Sequence, residues 1–384
     1  MAETDTGGYV QVDFEKPLFG GTLRGNAGIR YAYTDVVANG LTNTARPVSN
    51  DNAYSDYLPS MNLVYEPTSK LLLRFAISKV MARPLLGNLA PSVTSFSAPT
   101  TVGATTGGSI TLGNTKLNPF RATNYDFSAE WYFAPGSLIS LALFRKDISS
   151  FPQTLVSSST LTGLLSPDII AQLRASQTNP ASVAYIDADS PFDVRQFQDA
   201  PGGYIQGAEA SFQQNFTFLP GALQYFGVQA NYTYLDSELQ YIVDPGAAAT
   251  ATVAARARVI APGPFTGASP HSANFTLFYE KPTWSIRGSV AYRGEYYTTY
   301  PLSAGSCEPG LCDSPLINDF VGSKSTTNVD ASAQWKVTDY FTLTLEALNL
   351  TNQTSNRFAY VNDPLTTSYQ ASGRQVFVGG RFVF

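Results

Sequence analysis

The chain has 384 residues, a net charge of −5 and a single histidine. Its scattered basic residues leave no nucleic-acid footprint, and one histidine cannot build a His-based metal cluster. Charged residues make up 14%, against about 25% in soluble domains, while 22 Tyr and 24 Phe point away from a cytosolic enzyme.

No run approaches the ~20 consecutive apolar residues of a membrane helix. Any crossing is therefore made by strands, whose hydropathy signal is far weaker. Met1 opens onto acidic and polar residues with no leader peptide, so an exported protein is expected to begin upstream. The first strand is GYVQVDF. In TLRGNAGIRYAYT, Leu23, Ala27, Ile29, Tyr31 and Tyr33 alternate with Arg24, Asn26, Arg30 and Thr34. Period-2 alternation marks a strand with two unlike faces. ATNYDFSAEWYF sets Tyr125, Phe127, Ala129, Trp131 and Phe133 against Asn124, Asp126, Ser128 and Glu130. SANFTLFYE sets Ala273, Phe275, Leu277 and Tyr279 against Asn274, Thr276 and Glu280. SIRGSVAYRGEY places Ile286, Val290, Tyr292 and Tyr296 opposite Arg287, Ser289, Arg293 and Glu295. NVDASAQWKV sets Val329, Ala331, Ala333 and Trp335 against Asp330, Ser332, Gln334 and Lys336. FTLTLEALN sets Phe341, Leu343, Leu345 and Ala347 against Thr342, Thr344 and Glu346. The chain closes on Val376, Val378, Gly380, Phe382 and Phe384, alternating with Gln375, Phe377, Gly379, Arg381 and Val383.

About thirteen such strands are expected, most near the ~9–11 residues that cross a bilayer with tilt. They meet in pairs across short turns at PLFGG, EPTSK, APGS, LPGA, KPT and TD. Between the pairs lie long polar stretches, at about residues 38–53, 82–120, 148–200, 236–270, 297–325 and 350–372. A soluble sandwich has no reason to sort its connections by length; a membrane barrel has tight turns on one side and long loops outside. The fold expected is all-β, a transmembrane antiparallel β-barrel. Its apolar faces look at lipid, and Arg24, Arg30, Asp126, Glu130, Arg287, Arg293, Glu295, Asp330, Lys336 and Glu346 look into a wet or plugged lumen. First and last strands both run inward, so the count is odd. Single-chain bacterial barrels usually have even counts, and thirteen strands are expected to be part of something larger.

Catalytic readings are weak. There is no G-x-S-x-G elbow, His271 reads as a polar residue at a loop–strand junction, and Asp126 with Glu130 reads as lumen solvation. Cys307 and Cys312 flank a Pro-Gly turn in SCEPGLCDS, which in an oxidising compartment favours a disulfide over a metal pair. SPDIIAQLRAS reads as a helix with Ser166 at the N-cap and Pro167 in its first turn. Farther on, Asp187, Asp189 and Asp193 are hard oxygen ligands at loop spacing, fit either for calcium or for a solvated acidic loop. Tyr185, Phe192 and Phe197 interleave with them, as stacking faces for a sugar or as packing for the loop. Tyr296 reads as part of an aromatic girdle, and Tyr297 and Tyr300 as girdle or ligand contacts.

Several stretches in order resemble the TonB-dependent receptors of the bacterial outer membrane: YLPSMNLVYEPTSKLLLRFAISKVMARPLLGNLAP, LGNTKLNPFRATNYDFSAEWYFAPGSLISLALFRKDISSF, GGYIQGAEASFQQNFTFLPGALQYFGVQANYTYLDS, TLTLEALNLTNQ and YQASGRQVFVGGRFVF. The likeness covers nearly the whole chain as the C-terminal part of one barrel domain, residues 1–384. It implies a barrel of about 22 strands around a plug. It also implies energy from the TonB–ExbB–ExbD complex, insertion by the barrel assembly machinery reading Phe382 and Phe384, and an outer-membrane location. A small nutrient, either a carbohydrate or a ferric siderophore, would bind at the outer loops, with no cofactor and no enzymatic step. The plug, TonB box, signal peptide and about nine strands of that pattern are not in the sequence. A passive porin and a secreted adhesin-like protein are the alternative readings.

Overall fold

The computed structural model describes residues 2–41, 47–90, 93–244, 246, 255, 257–299, 320–359 and 364–383. The chain opens with β1 (Ala2–Leu18), β2 (Gly21–Leu41), β3 (Pro47–Thr68) and β4 (Leu71–Ala82), then a short hairpin of β5 (Val93–Ser97) and β6 (Gly108–Leu112). The long strands β7 (Phe120–Ala134) and β8 (Ser137–Ser159) follow. Helices α1 (Leu161–Leu164), α2 (Pro167–Ala175) and α3 (Pro180–Asp187) separate β8 from β9 (Phe192–Asn215). Then come β10 (Phe226–Asp244), β11 (Val259–Gly263), β12 (His271–Glu280), β13 (Trp284–Arg293), β14 (Tyr296–Thr299) and β15 (Val321–Ser323). The last are β16 (Thr326–Lys336), β17 (Phe341–Leu348), β18 (Thr354–Ala359), β19 (Leu365–Ala371) and β20 (Gln375–Phe382).

Thirteen strands form one continuous wall, ordered β1-β2-β3-β4-β7-β8-β9-β10-β12-β13-β16-β17-β20, as the alternation requires. Each neighbouring pair along it is antiparallel. The turns expected to be tight are tight, save the one at LPGA, where residues 216–225 separate β9 from β10 and include a 3-10 turn at Gly221–Tyr225. In the first, Phe19 and Gly20 both have positive φ (46° and 82°), the type I′ geometry that matches strand twist.

Register carries the two faces from strand to strand. Arg24 stands opposite Glu15 and Val64, Asp126 opposite Ala76 and Phe144, Thr276 opposite Gln229 and Ser289, and Ser332 opposite Arg287 and Glu346. On the other face Phe127 sits between Phe75 and Leu143, Phe275 between Ala230 and Val290, and Ala333 between Ile286 and Leu345. A slip of one residue anywhere would swap the faces. The apolar face stays uncovered: Phe75 is 38% exposed and Phe275 46%.

The structure corrects the length of the loops. β8 has 23 residues and β9 has 24, well beyond a bilayer crossing, and they stay paired up to Ser159 and Phe192. The stretch read as a loop over 148–200 is thus mostly a projecting ribbon, capped by α1, α2 and α3. β6 adds to it in parallel with β9, Gly108 opposite Phe192. Gly108 is needed there: a Cβ would lie 2.6 Å from the Phe192 ring. The connections around 297–325 and 350–372 contribute a second, four-stranded sheet, β14-β15-β18-β19. The buried clusters gather in this projecting crown and at the top of the wall.

Candidate ligand site in the crown

Sequence chemistry makes the crown a folded unit. α3 buries Ala181, Ser182, Tyr185 and Ile186, the i, i+1, i+4, i+5 stripe of an amphipathic helix. Tyr185 and Ile186 pack with Ile110, Leu161, Phe192 and Val194, and Ser182 donates its hydroxyl to Pro99 O at 2.9 Å. Asn179 caps α3 by accepting from Ala181 N at 2.8 Å. Ser166 precedes α2 as expected, but its side chain makes no capping bond; its carbonyl accepts from Ile169 and Ile170 instead.

Beneath this unit lies a cavity of about 550 Å³, lined by Phe120, Phe151, Gln153, Arg195, Phe197 and Tyr241 among others. That is an ordinary size for a small-molecule site. Gln153 is 4% exposed and clamps the top of β10: its Nε2 donates to Ile242 O at 2.8 Å and its Oε1 accepts from Ile242 N at 2.9 Å. Phe151 meets Tyr241 edge-on at 5.4 Å. Tyr241 donates its hydroxyl to Pro264 O at 2.8 Å, and burial pushes the phenol up to about 12, so it remains a neutral donor. Arg195 Nε is buried with no hydrogen-bond partner among the described residues. An unpaired buried donor on a cation is costly unless something accepts from it. The cavity therefore offers aromatic walls and one arginine whose Nε has no partner among the described residues, a match for an anionic, planar ligand.

The candidates named from sequence separate into groups. Of the two readings given for Tyr185 and Phe192, the structure favours packing: they are 3% and 0% exposed, meet edge-on, and Tyr185 donates to Pro191 O, so both belong to the crown core. Asp187 is held by Arg174 in a two-bond pair at 2.5 and 2.8 Å, and that hydrogen bond holds its carboxyl below the usual aspartate range. Asp189 ends α3 with φ 47° and accepts from the Thr162 amide and hydroxyl; burial pushes its carboxyl up, and these bonds more than offset it. Asp193 is exposed on β9. Among the described residues no group of three or more His, Cys, Asp or Glu comes together, so the three aspartates do not form a cation site. Tyr297 packs on Phe320 at 4.6 Å in the second sheet, while Arg293 lies 3.6 Å over the Tyr296 ring. Tyr300, Cys307, Cys312 and Phe384 lie outside the described residues.

Of the charges expected to share one face, Arg24 pairs with Glu66 at 2.5 Å, Arg74 with Glu130 at 2.7 Å, and Glu295 with Lys324 at 3.0 Å. Lys336 pairs with Asp339 at 2.8 Å, and Asp330 accepts from Asn349 N at 2.8 Å. Arg30, Asp126, Arg287 and Glu346 lie on that same polar face by register. A second cavity of about 500 Å³ opens on it between Asn62, Arg74, Asp126, Lys146 and Glu209. The His271 ring shares a hydrogen bond with the Tyr232 hydroxyl at 2.8 Å, and its carbonyl accepts from Ser269 Oγ and Gly294 N, both at 2.8 Å, as a junction residue would.

A wall of antiparallel strands, one face polar and one apolar, short turns at one end and a folded crown at the other, is a portion of a transmembrane β-barrel. The chain belongs to the TonB-dependent receptor family: the TonB dependent receptor-like β-barrel matches residues 2–350. This is a family of outer-membrane β-barrel receptors. Among solved structures, the siderophore receptor PirA of Acinetobacter baumannii aligns over 100% of this chain and 55% of its own, at 14% identity and TM-score 0.57. The ferric enterobactin receptor PfeA of Pseudomonas aeruginosa aligns over 98% and 54%, at 12% and 0.55. The ferric-catecholate import receptor Fiu of E. coli aligns over 100% and 45%, at 12% and 0.55. The chain thus spans about half the length of the solved structures it matches, and at these identities the likeness establishes the fold. No curated protein sequence matches it. Among the described residues no helix is long and apolar enough to cross a membrane, which says nothing of strands.

Proposed function

We propose that residues 1–384 are part of the barrel of an outer-membrane receptor that takes up a scarce ferric siderophore, driven by TonB–ExbB–ExbD. In this reading the polar face lines the lumen and the apolar face meets lipid. The observation that carries the choice of ligand is the Arg195 guanidinium, unsatisfied at Nε among Phe120, Phe151, Phe197 and Tyr241. A ferric catecholate is anionic and aromatic, which such a site satisfies by a charge-assisted hydrogen bond and by stacking. The matched receptors for ferric enterobactin and ferric catecholate support the same class. A carbohydrate is less well served, because Tyr185 and Phe192 are buried and Asp187 is engaged by Arg174.

Quenching of intrinsic fluorescence by a ferric catecholate, in detergent, tests this. Arg195→Gln removes one charge-assisted bond, about 1.5–3 kcal/mol, so affinity should fall by about 10–100-fold. A neutral oligosaccharide that binds equally well to both forms would overturn it.

A further inference from the structure

On the apolar face, opposite the polar lining, the side chains of β13, β16 and β17 form a furrow. The row at the short-turn rim is Trp284, Trp335 and Leu343. The next is Ile286, Ala333 and Leu345, and the next Gly288, Ala331 and Ala347. Large side chains thus flank Ala333, and the row above it is small throughout. The result is a trough running along β16 for the roughly 13 Å from Trp335 to Ala331. At its rim end the groove encloses about 390 Å³ between Trp284, Ile286, Ala333, Trp335, Leu343 and Leu345, with almost wholly apolar walls.

A cation stands at that end. Lys281, in the β12–β13 turn, places Nζ 5.1 Å from the Tyr225 ring, 5.7 Å from Tyr279 and 5.8 Å from Trp284. Tyr279 and Trp284 stack at 4.8 Å. No carboxylate pairs with Lys281 among the described residues. The neighbouring Glu280 sits in register with Ser285 on the polar face, and Lys336 is already neutralised by Asp339. The rim therefore carries one uncompensated positive charge on an aromatic platform, directly above an apolar trough one chain wide.

We propose that this furrow is a site for one anionic glycerophospholipid, an acyl chain lying along β16 between Trp284 and Trp335 and the headgroup phosphate on Lys281. It rests on the barrel reading, since it needs the apolar face in a bilayer. Flat annular contact would not require the Ala331–Ala333 trough or an unpaired lysine beside it.

The chain has three tryptophans, and the third, Trp131, lies on the same face beside Leu71 but away from the furrow. The full chain is reconstituted in phosphatidylcholine vesicles containing phosphatidylglycerol or phosphatidylcholine with dibrominated acyl chains, which quench tryptophan on contact. In Trp131→Phe, quenching should show brominated phosphatidylglycerol enriched about 5-fold over its bulk fraction, the scale of one lysine at an anionic lipid. Lys281→Gln and the furrow-filling Ala331→Leu should each reduce that enrichment towards 1. The double variant Trp284→Phe, Trp335→Phe, reporting from Trp131, should show none. Equal quenching by both brominated lipids in Trp131→Phe would overturn the lipid site and leave the barrel standing. No quenching by either lipid would overturn the barrel reading itself.

Discussion

Phe275 and Phe192 are the same side chain in two regions, and they end in opposite environments. On the wall Phe275 is 46% exposed; in the crown Phe192 is fully buried among Phe96, Tyr185 and Ile110. The wall is one sheet thick, so no second layer covers its apolar face. Between its edge strands β1 and β20 the backbone is satisfied by strand pairing, and the side chains are left for a non-aqueous solvent. The crown stands where water is the solvent, so it must build a core of its own from helices and a hairpin. A hydrophobic residue is therefore a solvent contact below the rim and a packing contact above it.

Substitutions can break that contrast from either side. Phe192→Ala should be the costliest, about 3–5 kcal/mol for an aromatic lost from a packed core. Its effect should stay local: amide protection should collapse across α1, α2 and α3 while β12 and β13 remain protected. Collapse of the wall as well would mean that crown and wall are one cooperative unit. Phe275→Arg, near the middle of β12, should cost about 2–4 kcal/mol in vesicles. Thr276→Arg, one residue along and on the polar face, should cost much less. Equal costs in urea unfolding would erase the distinction between the faces. Gln153→Leu should come next, at about 2 kcal/mol, because it strands the buried N–H and C=O of Ile242. It should also loosen the crown cavity, seen as faster exchange at Tyr241 and Ile242.

The same contrast explains what could be read before the structure. In the wall each strand carries its own evidence: alternation at Tyr125 to Phe133 or Val329 to Trp335 needs no knowledge of the partner strand. Turn residues such as Phe19-Gly20 and Pro135-Gly136 mark the ends. The projecting parts of β8 and β9 were hidden because alternation breaks at the bulge opposite Arg121 and Ala122. Pro152 and Pro201, which ordinarily demote a strand, also lie within them. The crown site was less legible still. Gln153 matters through Ile242, 89 residues away, and Arg195 through the lack of an acceptor for its Nε among the described residues. Neither relation leaves a local pattern. Tyr185 and Phe192 stayed ambiguous for the same reason, since aromatics interleaved with aspartates look alike in a sugar site and in a helix-capped core. The burial stripe from Ala181 to Ile186 was the available clue, in a segment too short to read firmly as a helix.

The smallest effect belongs to the crown's exposed ion pair. Arg174 donates to both Asp187 oxygens and so joins the end of α2 to the end of α3. It lies in water, so it should add little to stability at neutral pH. Its signature is in titration instead. The hydrogen bond from Arg174 lowers the folded-state value of Asp187 from the ordinary 3.8. A depressed carboxylate contributes stability that is present above its unfolded value and lost as pH falls through the folded one. The α2–α3 contact should therefore be insensitive to pH from 7 down to about 4 and weaken below that. Carboxyl NMR should place the Asp187 midpoint below that of a free aspartate, and Arg174→Gln should return it to the ordinary range. An unchanged midpoint in that variant would mean that the pair does not persist in solution. The α2–α3 contact would then rest on the packing around Phe192 and on the Thr162–Asp189 hydrogen bonds.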